Sequence, residues 1–199
     1  MTVGRALTLL LVLVLPGCIS APASFHGNGP IPKPINLQIP LRDFGMTGTL
    51  SQKVIGSFRG KKKTLRFEVE LTQKKLAVVA LTSLGLPVFS LTYDGTNSTI
   101  KTEMKGALLP PPAWILDDIL IANAPKAALS NALDRAGYRL DSSPTRRQII
   151  DAEGHTVMHI DYSAPARSSW GSDLKLVDEM LKYRLTVTTL KKTRQATIQ

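Results

Sequence analysis

The chain has 199 residues, with 25 Lys and Arg against 15 Asp and Glu, a formal net charge of +10 and 43% hydrophobic residues. The ordinary apolar fraction and the 20% of charged residues exclude a chain that stays disordered, and the length excludes a large multidomain enzyme. A single cysteine, Cys18, excludes a disulfide scaffold and a cysteine-based zinc site. The surplus positive charge points to nucleic acid or to an anionic surface, and the N-terminus decides between them.

Met1 to Cys18 reads MTVGRALTLLLVLVLPGC: one positive charge at Arg5, then a run from Ala6 to Leu15 that is apolar apart from Thr8. About ten apolar residues are too few to span a bilayer, and the layout is that of a secretory signal peptide. The run ends in Leu15-Pro16-Gly17-Cys18, which resembles the bacterial lipobox, with Pro16 in place of the more usual Ala or Ser. The alternative is a plain signal peptide with an incidental cysteine. On the lipobox reading the mature protein begins at Cys18, lipidated with palmitate-type chains, and three chains make the anchor effectively permanent. Nucleic acid is then removed as a partner. Lipoproteins kept in the inner membrane resemble one another in having Asp after the cysteine, whereas this chain has Ile19, so the expected place is the inner leaflet of the outer membrane, facing the periplasm.

Ile19 to Pro40 holds Pro22, Pro30, Pro32, Pro34 and Pro40 with Gly27 and Gly29, and reads as a tether. The expected organisation is a signal peptide over 1–17, the lipidated Cys18 and tether over 18–40, a folded domain over 41–190 and a basic tail over 191–199.

Within the domain, Thr64 to Leu71 alternates apolar and polar residues, as a half-buried strand does. Leu76 to Thr82, Pro87 to Tyr93 and Thr99 to Met104 follow as strands, separated by Gln73-Lys74-Lys75, a Ser83-Leu84-Gly85 corner and an Asp94-Gly95 tight turn. Phe44 to Phe58 forms a strand before these, ending in the turn from Arg59 to Lys63. Short strands joined by short turns describe an antiparallel meander. After Pro110-Pro111-Pro112 the period becomes helical. Ala113 to Ala122 places Ile115 and Ile119 on one face, with Asp117 and Asp118 turned away to solvent. Pro125 to Ala136 stacks Leu129, Ala132, Leu133 and Ala136 opposite Lys126, Ser130, Asp134 and Arg135, and Gly137 stops it. Strands resume at Tyr138 to Leu140, Arg147 to Asp151, Thr156 to Tyr162, Asp173 to Val177 and Tyr183 to Leu190. The two helices are the available cover for one face of the sheet, and their alanine-rich stripe leaves space beneath them.

The stretch from Thr82 to Gly95 (TSLGLPVFSLTYDG), the proline-led helical pair and Gly137-Tyr138-Arg139-Leu140 resemble the outer-membrane lipoprotein receptor of the Lol pathway. The chain is more similar still to short, uncharacterised bacterial lipoproteins whose genes accompany aryl-polyene pigment biosynthesis. The resemblance covers roughly Gly45 to Leu190. It implies a mainly β, LolA/LolB-like fold: a curved antiparallel half-barrel of about eleven strands under a helical lid, enclosing an apolar cavity for acyl chains. It also implies that the corner leucine, here Leu84 with Leu86 beside it, enters the membrane. This chain has Ser83 where that family has proline. From spacing alone, Leu84 and Leu86 could equally fold back into the core.

The candidate cavity residues are Leu65, Phe67, Val69, Phe89, Leu91, Met158, Ile160, Tyr162, Leu185 and Val187 from the strands, with Trp114, Ile115 and Ile119 from the lid. The alternative is a close-packed core with no ligand. A buried methylene contributes about 0.8 kcal/mol, so apolar area alone can hold a fatty chain. Enzyme signatures fail. Ser172-Asp173-Leu174-Lys175 matches Ser-x-x-Lys without its companion motifs. His155 and His159, four residues apart on a strand, are separated by roughly 13 Å and cannot share an ion. Asp117 and Asp118, adjacent on a helix, point about 100° apart and form no acid/base pair.

Basic residues collect at Arg59 to Lys63, Lys74-Lys75, Arg146-Arg147 and Lys191-Lys192 with Arg194. These are either solvated turns or contacts to anionic headgroups. The expected function is that of a non-enzymatic, monomeric outer-membrane lipoprotein without cofactor or metal. It takes up an acyl or polyenyl chain, for pigment-lipid or lipoprotein localisation, and passes it to the membrane, with membrane lipid and a periplasmic carrier protein as partners. The alternative is a tethered adaptor of an envelope assembly or export machine, with its cavity filled.

Overall fold

A computed structural model describes residues 33–58, 60–104, 110–164 and 170–196. The signal peptide, Cys18, Ile19, the first part of the tether and Arg59 lie outside the described residues. After a 3-10 turn at Leu41–Phe44, five strands follow: β1 (Met46–Phe58), β2 (Lys61–Leu71), β3 (Leu76–Leu81), β4 (Pro87–Tyr93) and β5 (Ser98–Thr102). Helices α1 (Pro112–Asn123) and α2 (Lys126–Arg135) come next. The remaining strands are β6 (Arg139–Ser142), β7 (Arg146–Ile150), β8 (Thr156–Tyr162), β9 (Leu174–Asp178), β10 (Tyr183–Lys192) and β11 (Gln195–Ala196).

All strand pairs are antiparallel. They form one open sheet in the order β5-β4-β3-β2-β1-β10-β9-β8-β7-β6, with β11 added beside the start of β1. Two local meanders are thus joined by the long-range β1–β10 pair, and the helical segment connects one edge strand, β5, to the other, β6. Every residue of β5 is exposed, and Lys101 on it is the kind of edge charge that discourages pairing with another chain.

The period-two reading locates the strands with small shifts at their ends. Gly45, in the left-handed region at φ 62°, separates the 3-10 turn from β1, so the strand begins at Met46 and not at Phe44. The Asp94-Gly95 turn is a four-residue loop. Asp94 N–H donates to the Asn97 carbonyl at 3.1 Å, and Asp94 Oδ1 accepts the N–H groups of Thr96 and Asn97 at 2.9 and 2.8 Å. Proline opens α1 at its first position. Gly137 closes α2, where Tyr138 N–H reaches back to the Leu133 carbonyl at 2.9 Å.

The tether boundary moves toward the N-terminus. Leu37 and Ile39 are buried in the core, and Asn36 and Leu37 donate their N–H groups to the Asp117 carboxylate, each at 3.0 Å. Ile39 N–H donates to the Tyr93 hydroxyl at 2.9 Å, and that hydroxyl donates to the Gly95 carbonyl at 2.7 Å. The segment from Lys33 to Pro40 is therefore docked. Ile35, Leu37 and Ile39 carry the alternation that marks it, hidden among prolines. At the other end, Lys191 and Lys192 pair with Ser51 and Leu50 as part of β10, so the tail cannot begin at 191.

The sheet's inner face packs in rows such as Leu50, Val69, Val78 and Leu91 across four strands. Helix α1 lies over it and is apolar nearly all round. One side meets the sheet and the other meets the Leu37–Ile39 segment, which is why Asp117 and Asp118 are buried and not solvated. Asp117→Ala removes the acceptor of two backbone N–H groups. It should cost about 1–3 kcal/mol in urea unfolding and expose the chain around Lys33 to limited proteolysis, with Asp117→Asn, which keeps one acceptor, intermediate.

Candidate functional site

One end of the sheet holds an apolar cavity. Its wall is the end of β1 (Val54, Gly56, Ser57, Phe58), the facing part of β2 (Leu65, Phe67) and the start of β10 (Tyr183, Leu185), and its roof is Pro110 with Ile115 of α1. Gly56 helps keep it open, because a Cβ there would stand 3.1 Å from the Leu185 side chain. The volume is about 30 Å³, room for about one water. A space of that size does not hold an acyl chain.

Of the residues named as cavity candidates, Leu65, Phe67, Ile115 and Leu185 line this space. Val69, Phe89, Leu91, Met158, Ile160 and Val187 are buried in the packed core, with Phe67 and Phe89 in edge-to-face contact at 5.8 Å. Trp114 is buried as well, and Ile119 is partly buried against the core. Tyr162 does something else, because its hydroxyl donates to the Ala122 carbonyl at 2.8 Å, at the end of α1. Leu84 and Leu86 do not fold back into the core: they are 85% and 55% exposed. Their corner is closed by Gly85 N–H on the Thr82 carbonyl at 3.0 Å, and Gly85 supplies the positive φ of 80° that the turn requires.

Several polar residues at the lid were missed or misplaced by the sequence reading. Arg147, read as part of a basic surface cluster, is buried. Its guanidinium donates to the Ile121 and Ala124 carbonyls at 2.5 and 2.9 Å and lies 5.7 Å from the centre of the Tyr162 ring. A cation and a hydroxyl thus satisfy carbonyls that the C-terminus of α1 leaves without helical partners. Asp118 on α1 accepts the hydroxyl proton of Tyr183 at 2.5 Å, which ties the lid to a cavity-wall residue. Asp178, at the end of β9 and directly across from Tyr183, accepts Leu181 N–H at 2.6 Å. Asp118 Oδ1 and Asp178 Oδ2 are buried without a hydrogen-bond partner among the described residues. The legible signal was parity: Arg147 alternates with Ile149, and Asp178 with Leu174 and Leu176, so both occupy inward positions.

Burial raises the Asp118 carboxyl well above its ordinary range, against the Tyr183 hydrogen bond, which favours the charged form, and with the charge of Asp178 adding to the rise. Burial likewise raises Asp178 to about 6 from 3.8, although the Leu181 and Met180 N–H groups oppose it. The Tyr183 hydroxyl is raised too, by burial and then by Asp118 and Asp178, so it stays a donor. The lid is thus held by carboxyls that prefer to be neutral. Among the described residues, Asp151, Glu153 and His155 gather their ligand-type atoms at the β7–β8 turn, where Glu153 and His155 are exposed. His159 sits on β8, apart from that turn.

A raised carboxylate pKa stabilises the fold below the unfolded value, and the contribution is lost as pH rises through the folded one. For Asp178 that window runs from 3.8 to about 6, and the loss is on the order of 3 kcal/mol. The melting temperature should therefore fall between about pH 4 and pH 6, and Asp178→Asn, which keeps the acceptor for Leu181, should flatten that part of the profile in a thermal melt series.

No curated protein matches the chain. Among solved structures it is similar to a LolA superfamily protein from Nitrosomonas europaea, at 9% identity and a TM-score of 0.42, over 80% of this chain and 89% of that one. A putative outer membrane lipoprotein-sorting protein domain from Vibrio parahaemolyticus matches at 6% identity and a TM-score of 0.41, over 77% and 87% of the two chains. A DUF1329 family protein from Desulfovibrio piger matches at 7% identity and a TM-score of 0.36, over 80% and 89%. The family profile that matches residues 49–191 covers most of the chain, and the chain belongs to that family, described as protein of unknown function DUF3261.

Proposed function

We propose that this chain is a non-enzymatic envelope lipoprotein that takes an acyl or polyenyl chain between its sheet and lid and passes it to a membrane. The reading places it at the periplasmic face of the outer membrane, anchored through Cys18. The observation that carries it is the position of the apolar cavity, under the first turn of α1, at the end of the sheet where Leu84 and Leu86 stand in solvent. Two exposed leucines on a tight corner are costly to leave in water and suit the edge of a bilayer. Among the described residues no helix is long and apolar enough to cross a membrane. On this reading the anchor and the corner are the membrane contacts.

The chemistry asked of the protein is displacement and not bond making. Swinging the start of α1 away breaks the Asp118–Tyr183 hydrogen bond and frees Ile115 from the cavity roof. An entering chain replaces the lost apolar contact at about 0.8 kcal/mol per methylene. The small closed volume of about 30 Å³ favours a second reading, a tethered adaptor whose core stays filled.

Native mass spectrometry of the Cys18→Ser chain, purified without detergent and offered a fatty acid or an aryl polyene ester, separates the two. One bound lipid per chain is expected, and a lipid-free mass after exposure to both would overturn the carrier reading. Leu84→Glu should keep the bound lipid and the melting temperature, since the side chain is 85% exposed, yet lose most lipid transfer to vesicles.

A further inference from the structure

The antiparallel topology sorts the basic clusters by end. β2 runs from Lys61, at the cavity end, to Leu71 at the opposite end. The β1–β2 turn, the Thr82–Leu86 corner and the β9–β10 turn therefore share the cavity end. Lys74 and Lys75, in the β2–β3 turn, lie at the opposite end, as do Lys191 and Lys192, which pair with Ser51 and Leu50. Arg146 lies there too and is paired with Asp161 at 3.2 Å, while Arg147 is buried. Among the described residues, of the basic clusters read from the sequence only the one around Lys61 to Lys63 sits beside the cavity.

That group has a specific placement. β3 begins its pairing with β2 at Arg66 and Leu81, so Lys61 to Leu65 overhangs the sheet alongside the Leu84 corner. Along the overhang, Lys61 and Lys63 have the parity of Leu65, which lines the cavity, and Lys62 has the parity of Arg66 on the outer face. Arg184, exposed at the start of β10, stands opposite Ser57, which is itself opposite Lys62. None of Lys61, Lys62, Lys63 and Arg184 makes an ion pair among the described residues. The neighbouring acids do: Glu179 with Lys182 at 3.1 Å, Glu103 with Lys101 at 2.8 Å and Glu68 with Arg66 at 2.9 Å. Asp151 and Glu153 belong to the β7–β8 turn, separated from β10 by β9. The end that exposes two leucines thus carries four cations that form no ion pair among the described residues, on both faces of the edge that extends past β3.

We propose that this end is a docking face for an anionic phospholipid surface, with Leu84 and Leu86 at the acyl boundary and Lys61, Lys62, Lys63 and Arg184 at the level of the headgroups. The inference deepens the membrane-contact part of the proposed function and rests on it. It adds the headgroup charge and the orientation, in which the cavity faces the bilayer.

The test is flotation of the unlipidated Cys18→Ser chain, without cargo, on vesicles of phosphatidylcholine alone or of phosphatidylcholine with phosphatidylglycerol. Binding to the anionic vesicles alone is expected, and it should fall away from about 0.1 M to about 1 M salt as the screening length drops from about 10 Å to about 3 Å. The combined Lys61→Gln, Lys62→Gln and Lys63→Gln variant should bind roughly 100-fold more weakly, about fivefold per cation, with an unchanged melting temperature. The Lys74→Gln and Lys75→Gln control, at the opposite end, should bind as the parent does. Equal binding to both vesicle types, or equal weakening by the control, overturns the headgroup proposal and leaves membrane contact through the leucines standing. Binding to neither vesicle overturns both.

Discussion

Among the described residues, the apolar inner face of an open ten-strand path has no second sheet to cover it, and the structure is organised around that exposure. Burial must come from one helical connection and one N-terminal segment. Both are short, so α1 is drawn in until nearly all its surface is occupied. A helix in that position has to be apolar all round, and any polar side chain it carries needs a partner. Asp117 finds backbone N–H groups on the covering segment, Asp118 finds Tyr183 on the sheet, and Arg147 and Tyr162 reach up from β7 and β8 to the carbonyls at the helix end.

These polar contacts give the lid an uneven attachment. At its C-terminus, α1 is held by a buried guanidinium and a hydroxyl acting on backbone carbonyls, interactions with no low-cost alternative in a dry interior. At mid-helix it is held by Asp117 on the Asn36 and Leu37 N–H groups and by the Tyr183–Asp118 hydrogen bond, next to a second buried carboxyl whose pKa sits at about 6. The first turn of α1, ahead of these fastenings, is its end over the small void. It roofs the cavity at the leucine-bearing end. Void and exposed leucines coincide there, which gives the proposed passage of a chain a direction.

The same end gathers the unpaired lysines of β2, whereas the basic turns at the opposite end are unrelated to the cavity. Net charge therefore says little about this protein's contacts until the strands are threaded. A formal +10 spread over the chain becomes a directed field only because antiparallel pairing sends successive turns to alternate ends of the sheet.

What the sequence determined by itself was the local periodicity. Alternation placed β2, β4, β8 and β10, proline and glycine bounded the two helices, and the antiparallel character followed from short turns. These features are decided within about ten residues. Which polar residues are inside was decided only in three dimensions. Asp117, Asp118 and Arg147 read as surface charge because an isolated carboxylate or guanidinium belongs in water, and Asp178 was not singled out at all. They are inside because their partners, up to 81 residues away in the chain, arrive with the fold. The docking of Leu37 and Ile39 likewise depends on α1 and β4, the shared end of Lys61 to Lys63 with Leu84 on the β2–β3–β4 pairing, and the small volume left under α1 on the long-range β1–β10 closure. No pattern confined to one segment records that closure.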